Sequence, residues 1–184
     1  MFEIAVLLRI SMRLAGVGDR VDGLRLLDAA RGPFASYRLA TGRIVRVWYQ
    51  RWPPSSGFSE LRDAVKYYEV GEGGTTKPDV AIEFVDHGIP TRLVLLELKA
   101  STSSSYVASG FSQLLSYLRE RPSLTGQSPS GWLVSPHPTG QLRDPEGRAL
   151  WSCSADDVAS AVVATALSGS PVSTDGRVAN QTGF

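Results

Sequence analysis

Residues 77–99 read Lys-Pro-Asp-Val-Ala-Ile-Glu-Phe-Val-Asp-His-Gly-Ile-Pro-Thr-Arg-Leu-Val-Leu-Leu-Glu-Leu-Lys, two apolar runs either side of a short polar break. Val80, Ile82 and Phe84 alternate with Asp79, Ala81 and Glu83, which is the period-two pattern of a strand with one apolar face and one carrying acids. Asp86-His87-Gly88 reads as a turn. Leu93–Leu98 is almost wholly apolar, as expected of a central strand covered on both faces, and it closes with Glu97 and Lys99. Burial makes those two charges costly unless they are paired or bind a cation.

Glu97 and Lys99 lie two apart, so on a strand they project from one face. With Asp79 at the same level of the neighbouring strand, two carboxylates and one ammonium would share a pocket, and the Leu98 carbonyl offers a third oxygen. Hard oxygen ligands in that number suit Mg²⁺ or Mn²⁺, which keep several waters when bound by one or two carboxylates. Such an ion supplies hydroxide near neutral pH and offsets charge developing on a phosphodiester. Lys99 would orient or deprotonate the water, or stabilise the added negative charge.

Outward from this centre, Phe2–Leu14 has helical spacing, with no capping residue before it. That start is what a module cut from, or descended from, a longer protein would show. Asp22–Ala30 reads as a short helical piece, and Tyr37–Leu39 with Ile44–Tyr49 around Thr41-Gly42 as a hairpin. Phe58–Tyr68 is a loop or short helix, and residues 72–76 form a loop. Gly110–Glu120 is a helix with Phe111, Leu114, Leu115 and Leu118 as its stripe, following a serine-rich loop. Trp132–Ser135 and Leu150–Cys153 read as strands, and Ser154 caps a final helix whose first turn holds Asp156 and Asp157. Residues 1–168 form one domain, with 169–184 a polar tail.

The chain of 184 residues is 42% hydrophobic with a formal charge of +1, enough for one buried core and without a global basic field. Residues 1–52 nevertheless hold nine Arg and no Lys against four acids. Arg43 and Arg46, beside Trp48, Tyr49 and Trp52, would grip phosphates or bases; a strand core with a solvated opposite face accounts for them equally. One cysteine, Cys153, permits neither an intrachain disulfide nor a cysteine zinc site within the chain, which favours a reducing compartment, and no run of about 18 apolar residues occurs. A cytoplasmic protein without membrane contact is expected. His87 and His137 lie in loop contexts and read as exposed, and Glu83 as structural or exposed.

Pro78-Asp79 and Glu97-Leu98-Lys99 resemble the motif of the PD-(D/E)xK nuclease superfamily, the restriction-endonuclease-like fold. Gln113 and Tyr117, four apart on the following helix, are similar to the Gln-x-x-x-Tyr pattern of RecB-like exonuclease branches, and Glu3 sits in an opening helix where many members carry a further metal-associated acid. The likeness spans about residues 1–135 and is nearest in appearance to nuclease domains of restriction and phage-defence proteins. It implies an α/β fold with a central mixed β-sheet flanked by helices, and Mg²⁺- or Mn²⁺-dependent hydrolysis of DNA. Asp79, Glu97, Leu98 and Glu3 would hold the metal, Lys99 and Gln113 would assist catalysis, and Tyr117 would meet nucleic acid. A fused or partner domain would confer specificity. Two other readings stay open: a nuclease-like module that binds nucleic acid or protein without cleaving, and a ribonuclease.

Overall fold

The structure is a computed structural model and describes residues 1–25, 32–56, 77–120, 131–138, 140–143 and 149–168. Among them, eight strands form one mixed sheet flanked by three helices. The chain runs through α1 (Phe2–Ala15), β1 (Gly18–Arg20), β2 (Ala35–Leu39), β3 (Ile44–Tyr49), β4 (Val80–Asp86), β5 (Ile89–Leu98), α2 (Ser104–Glu120), β6 (Gly131–Val134), β7 (Gly140–Arg143), β8 (Ala149–Cys153) and α3 (Ala155–Leu167). The α/β class is as expected. Expectations on 58–68, 72–76 and 169–184, and most of that on 22–30, lie outside the described residues.

The sheet order is β1-β2-β3-β4-β5-β6-β8-β7. Strands β1 to β5 are each antiparallel to the next, whereas β6 runs parallel to β5 and β8 parallel to β6. A parallel neighbour requires a crossover, and α2 supplies it between β5 and β6. The β4–β5 connection is a two-residue turn with positive φ at both His87 (52°) and Gly88 (82°). Both central residues of a type I′ turn need that conformation, and a bulge between Phe84 and Val85 then shifts the register by one, giving the pairs that run on to Val80 and Leu96.

Two apolar layers sandwich the sheet. Val6, Leu7, Ile10 and Leu14 of α1 and Val158, Ala159, Val162 and Ala166 of α3 pack on one face against Val45, Val47, Val80, Ile82, Phe84, Val94 and Leu96. Leu114, Tyr117 and Leu118 of α2 cover the other face over Trp48, Ala81, Leu93, Leu95, Leu133 and Leu150. Each fully buried large aliphatic side chain contributes about 1.5–3 kcal/mol. Burial on both faces extends to the acidic face of β4. Glu83 is 1% exposed there and is held by Arg46, the Trp48 indole and the Ser55 hydroxyl.

Three details differ from the sequence expectation. Helix α2 starts at Ser104, six residues before Gly110, because its first turns are largely exposed and carry no apolar period. Strands β1 and β7 are short, and their neighbours' hydrogen bonds recruit them without an alternating pattern of their own. The Ser154 cap is as expected and completes a capping box with Asp157, joining side chain to backbone in both directions.

Candidate functional site

The site lies where β5 ends, β4 begins and α2 crosses over them. Val80 pairs with Leu96 in the antiparallel β4–β5 ladder, so one further step sets Asp79 level with Glu97 on the α2 side of the sheet. Asp79 is anchored twice: its Oδ2 accepts the Leu98 amide at 2.7 Å, and its carbonyl accepts the Gln50 amide at 2.9 Å. Lys99 is held in line by its own amide, which donates to the Val134 carbonyl at 2.9 Å and carries the β5–β6 ladder one residue past the strand.

The Lys99 ammonium donates to Glu97 Oε1 at 2.8 Å and to Gln113 Oε1 at 2.6 Å. The two charged side chains are 8% and 3% exposed, so this is a buried ion pair with a third, neutral acceptor from α2. The Tyr117 hydroxyl lies 2.8 Å from the Lys77 carbonyl and 3.2 Å from Glu97 Oε2, and its single proton serves both acceptors. Each Glu97 oxygen thus has a protein partner and retains a lone pair directed elsewhere.

Burial pushes the Asp79 carboxyl above its ordinary value; the Leu98 amide opposes the rise, the Glu3 charge adds to it and Lys99 counters it. Glu97 is also raised, first by burial, with Lys99 pulling down and the Asp79 charge pushing up. Two desolvated carboxylates that repel each other form a site that gains from a cation. Their hard oxygens fit a divalent ion that retains most of its waters.

Glu3, the further metal-associated acid expected from the sequence, is engaged by two side chains. Its Oε2 accepts the Tyr49 hydroxyl at 2.9 Å and the Gln50 amide side chain at 3.2 Å, a demand met at the start of α1. Glu3 still repels Asp79, but among the described residues no three His, Cys, Asp or Glu side chains gather as a metal-binding group. Asp79 and Glu97 are the two carboxylates that the β4–β5 register sets at one level. Burial, then Glu3 and Asp79, pushes the Tyr49 phenol up to about 12. Leu98 contributes its amide as a donor to Asp79.

Of the three expected nucleic-acid contacts, Arg43 and Tyr117 are buried within the fold and Arg46 is partly exposed. Arg43 is 6% exposed: it forks onto both Asp86 oxygens at 2.7 and 2.9 Å and donates to the carbonyls of Thr165, Ala166 and Ser168 at the end of α3. This guanidinium is engaged within the fold, where a cation suits the negative end of a helix. Arg46 rests on Glu83 at 3.2 Å with its side chain 37% exposed. Tyr117 is 2% exposed, its ring edge-on to Trp52 at 5.8 Å, so its work is to hold Glu97 and not to meet a ligand. His87 and His137 are exposed, as expected.

Three contributors escaped the sequence reading. Gln50 takes a positive φ of 45°, unusual outside glycine, and this turn aims its amide at Asp79 and its side chain at Glu3. Gly110 faces Lys99 from α2, where a Cβ would stand 3.0 Å from Lys99 Cε and 2.6 Å from Leu133 Cδ1. Tyr106 places its ring centroid 5.0 Å from Lys99 Nζ. Tyr106, Gly110, Gln113 and Tyr117 follow the i, i+4, i+7, i+11 spacing of one helix face. The Gln113–Tyr117 spacing was the only visible part of that row, and extending it backwards by the same rule finds the other two.

Comparison with known proteins gives no match to this chain among family models, curated proteins or solved structures.

Proposed function

We propose that this chain is a metal-dependent nuclease that hydrolyses phosphodiester bonds in DNA, with a restriction-endonuclease-like core and a role in restriction or phage defence. One observation carries the reading: a buried lysine ammonium stands within hydrogen-bond distance of Glu97 and Gln113, beside a second carboxylate, Asp79, at the same level of the next strand. The chain order of an opening helix, three successive antiparallel strands (β3, β4 and β5), a crossover helix and a parallel strand supports the same core.

Asp79 and Glu97, with the Leu98 carbonyl, would hold Mg²⁺ or Mn²⁺. Bound there, the ion would make a water easier to deprotonate near neutral pH and would offset charge on the phosphodiester oxygens. The protein's own groups do the rest. Asp79 is kept in place by the Leu98 amide, and Glu97 by Lys99 and Tyr117. The Lys99 ammonium, oriented by Gln113, faces the growing negative charge of the transition state from a fixed, poorly hydrated position, where such a charge acts most strongly.

The test is to incubate the purified chain with circular DNA, linear DNA and RNA, each with Mg²⁺, Mn²⁺ or chelator, beside Asp79→Ala and Lys99→Ala. Metal-dependent DNA cleavage lost in both variants is the expected result. Cleavage unchanged by either substitution sinks the assignment. Metal-independent binding without cleavage points to a non-catalytic module, and cleavage of RNA alone to a ribonuclease.

A further inference from the structure

Among the described residues, every Phe, Tyr and Trp except Tyr106 is buried or partly buried, whereas Tyr106 is 50% exposed. It stands in the first turns of α2, one helical turn before Gly110, with its ring 5.0 Å from the ammonium at the centre of the site. The contact with Lys99 contributes little at such exposure. Packing does not account for Tyr106 either, because the residue is half exposed beside a buried ion pair.

We propose that Tyr106 is a stacking platform for an unpaired nucleobase, so that the nuclease acts on single strands or frayed ends in preference to intact duplex. The proposal rests on the nuclease reading and adds its substrate class. A phosphate oxygen accepting from Lys99 Nζ lies about 3 Å from it, which sets the phosphorus within one nucleotide of the Tyr106 ring. Bases in a duplex are covered above and below by their neighbours, and a protein reaches their edges through the grooves. Lys99 occupies one face of the ring, and the opposite face, still this close to the cleaved phosphate, can therefore stack only on a base that has left the duplex. Base-aromatic stacking tolerates any sequence, because every base has a π-face.

The probe is a single-stranded oligonucleotide carrying 2-aminopurine, with the same sequence annealed as a blunt duplex. Both are titrated in chelator against wild type, Tyr106→Ala and Tyr106→Phe, and circular dichroism confirms that the variants fold. The expected result is quenched fluorescence on the single strand, binding about five- to hundredfold weaker in Tyr106→Ala, and near wild-type behaviour in Tyr106→Phe. Duplex binding should be insensitive to the alanine. Equal affinity of Tyr106→Ala for the single strand, or an equal loss on duplex, overturns the stacking role and leaves the nuclease reading standing. A wild-type protein that binds neither probe at low salt, in chelator or with Ca²⁺, overturns both.

Discussion

Gly110 and Lys99 are matched in shape: the lysine stem passes where a side chain on Gly110 would stand, with Cε 3.0 Å and Cγ 3.1 Å from the Cβ position. An alanine at 110 would gain up to about 1 kcal/mol of helix propensity. It would also overpack a site closed by Leu133, which is fully buried, at about 1–3 kcal/mol. Gly110→Ala should thus be neutral to modestly destabilising while lowering the cleavage rate about ten- to hundredfold. Pairing it with Leu133→Val removes the nearest contact, at 2.6 Å, but not those to Lys99. Thermal melting should recover in the pair and turnover should not. Lysine-labelled NMR gives an independent readout, since the chain has three lysines, Lys66, Lys77 and Lys99.

Removing the ammonium leaves Glu97 buried with Tyr117 and no cation. Lys99→Ala is expected to lower cleavage about a hundred- to thousandfold and to cost about 3–5 kcal/mol where Glu97 stays ionised. Glu97 is already raised by burial, and losing Lys99 raises it further. A carboxyl raised in the folded state contributes stability at low pH that is lost as pH rises through the window up to its folded value. The variant's deficit should therefore grow with pH, and adding Glu97→Gln should remove most of it in melts followed from pH 4 to 8.

The same sign applies to Asp79 in the metal-free protein, because its carboxyl is raised by burial and by Glu3. Stability in chelator should fall as pH rises above the ordinary carboxylate range. Asp79→Asn, whose side-chain oxygen can still accept the Leu98 amide, should flatten that fall and melt higher than wild type at pH 7. Mg²⁺ at about 100 times its dissociation constant stabilises by about 2.7 kcal/mol, or about 5–10 °C in a domain of this size. That gain should appear in wild type and vanish in Asp79→Asn, as read by calorimetry.

Arg43 ties Asp86 to the end of α3, and its hydrogen bond is the main cause of the lowered Asp86 carboxyl. A lowered carboxyl contributes stability above its unfolded value, and this is lost as pH falls through the folded one. Arg43→Met should cost on the order of 3 kcal/mol near neutral pH, by leaving Asp86 with the Thr91 hydroxyl and no cation and by removing a charged donor from three carbonyls. The deficit should narrow in acid. Nucleic-acid affinity, measured while the variant is folded, should keep its salt slope, whereas loss of a phosphate contact would reduce that slope by about one.

The amino-acid sequence by itself determined the α/β class, the two motif strands, the hairpin at residues 37–49, the capped last helix and the pairing of Glu97 with Lys99. These follow from local rules: alternation in strands, a helical apolar stripe, a serine before an acidic turn, and two residues that share a strand face. Tertiary structure decided what depends on distant chain segments meeting. It took Arg43 from an expected phosphate contact to a clasp on a helix more than 100 residues away, and it buried Glu83 against Arg46, Trp48 and Ser55. It also set Glu3 against Tyr49 and brought Gly110 and Tyr106 onto Lys99. A guanidinium or a carboxylate carries the same charge in water as in a core, and only the packing around it determines whether that charge holds the fold together or remains available for chemistry.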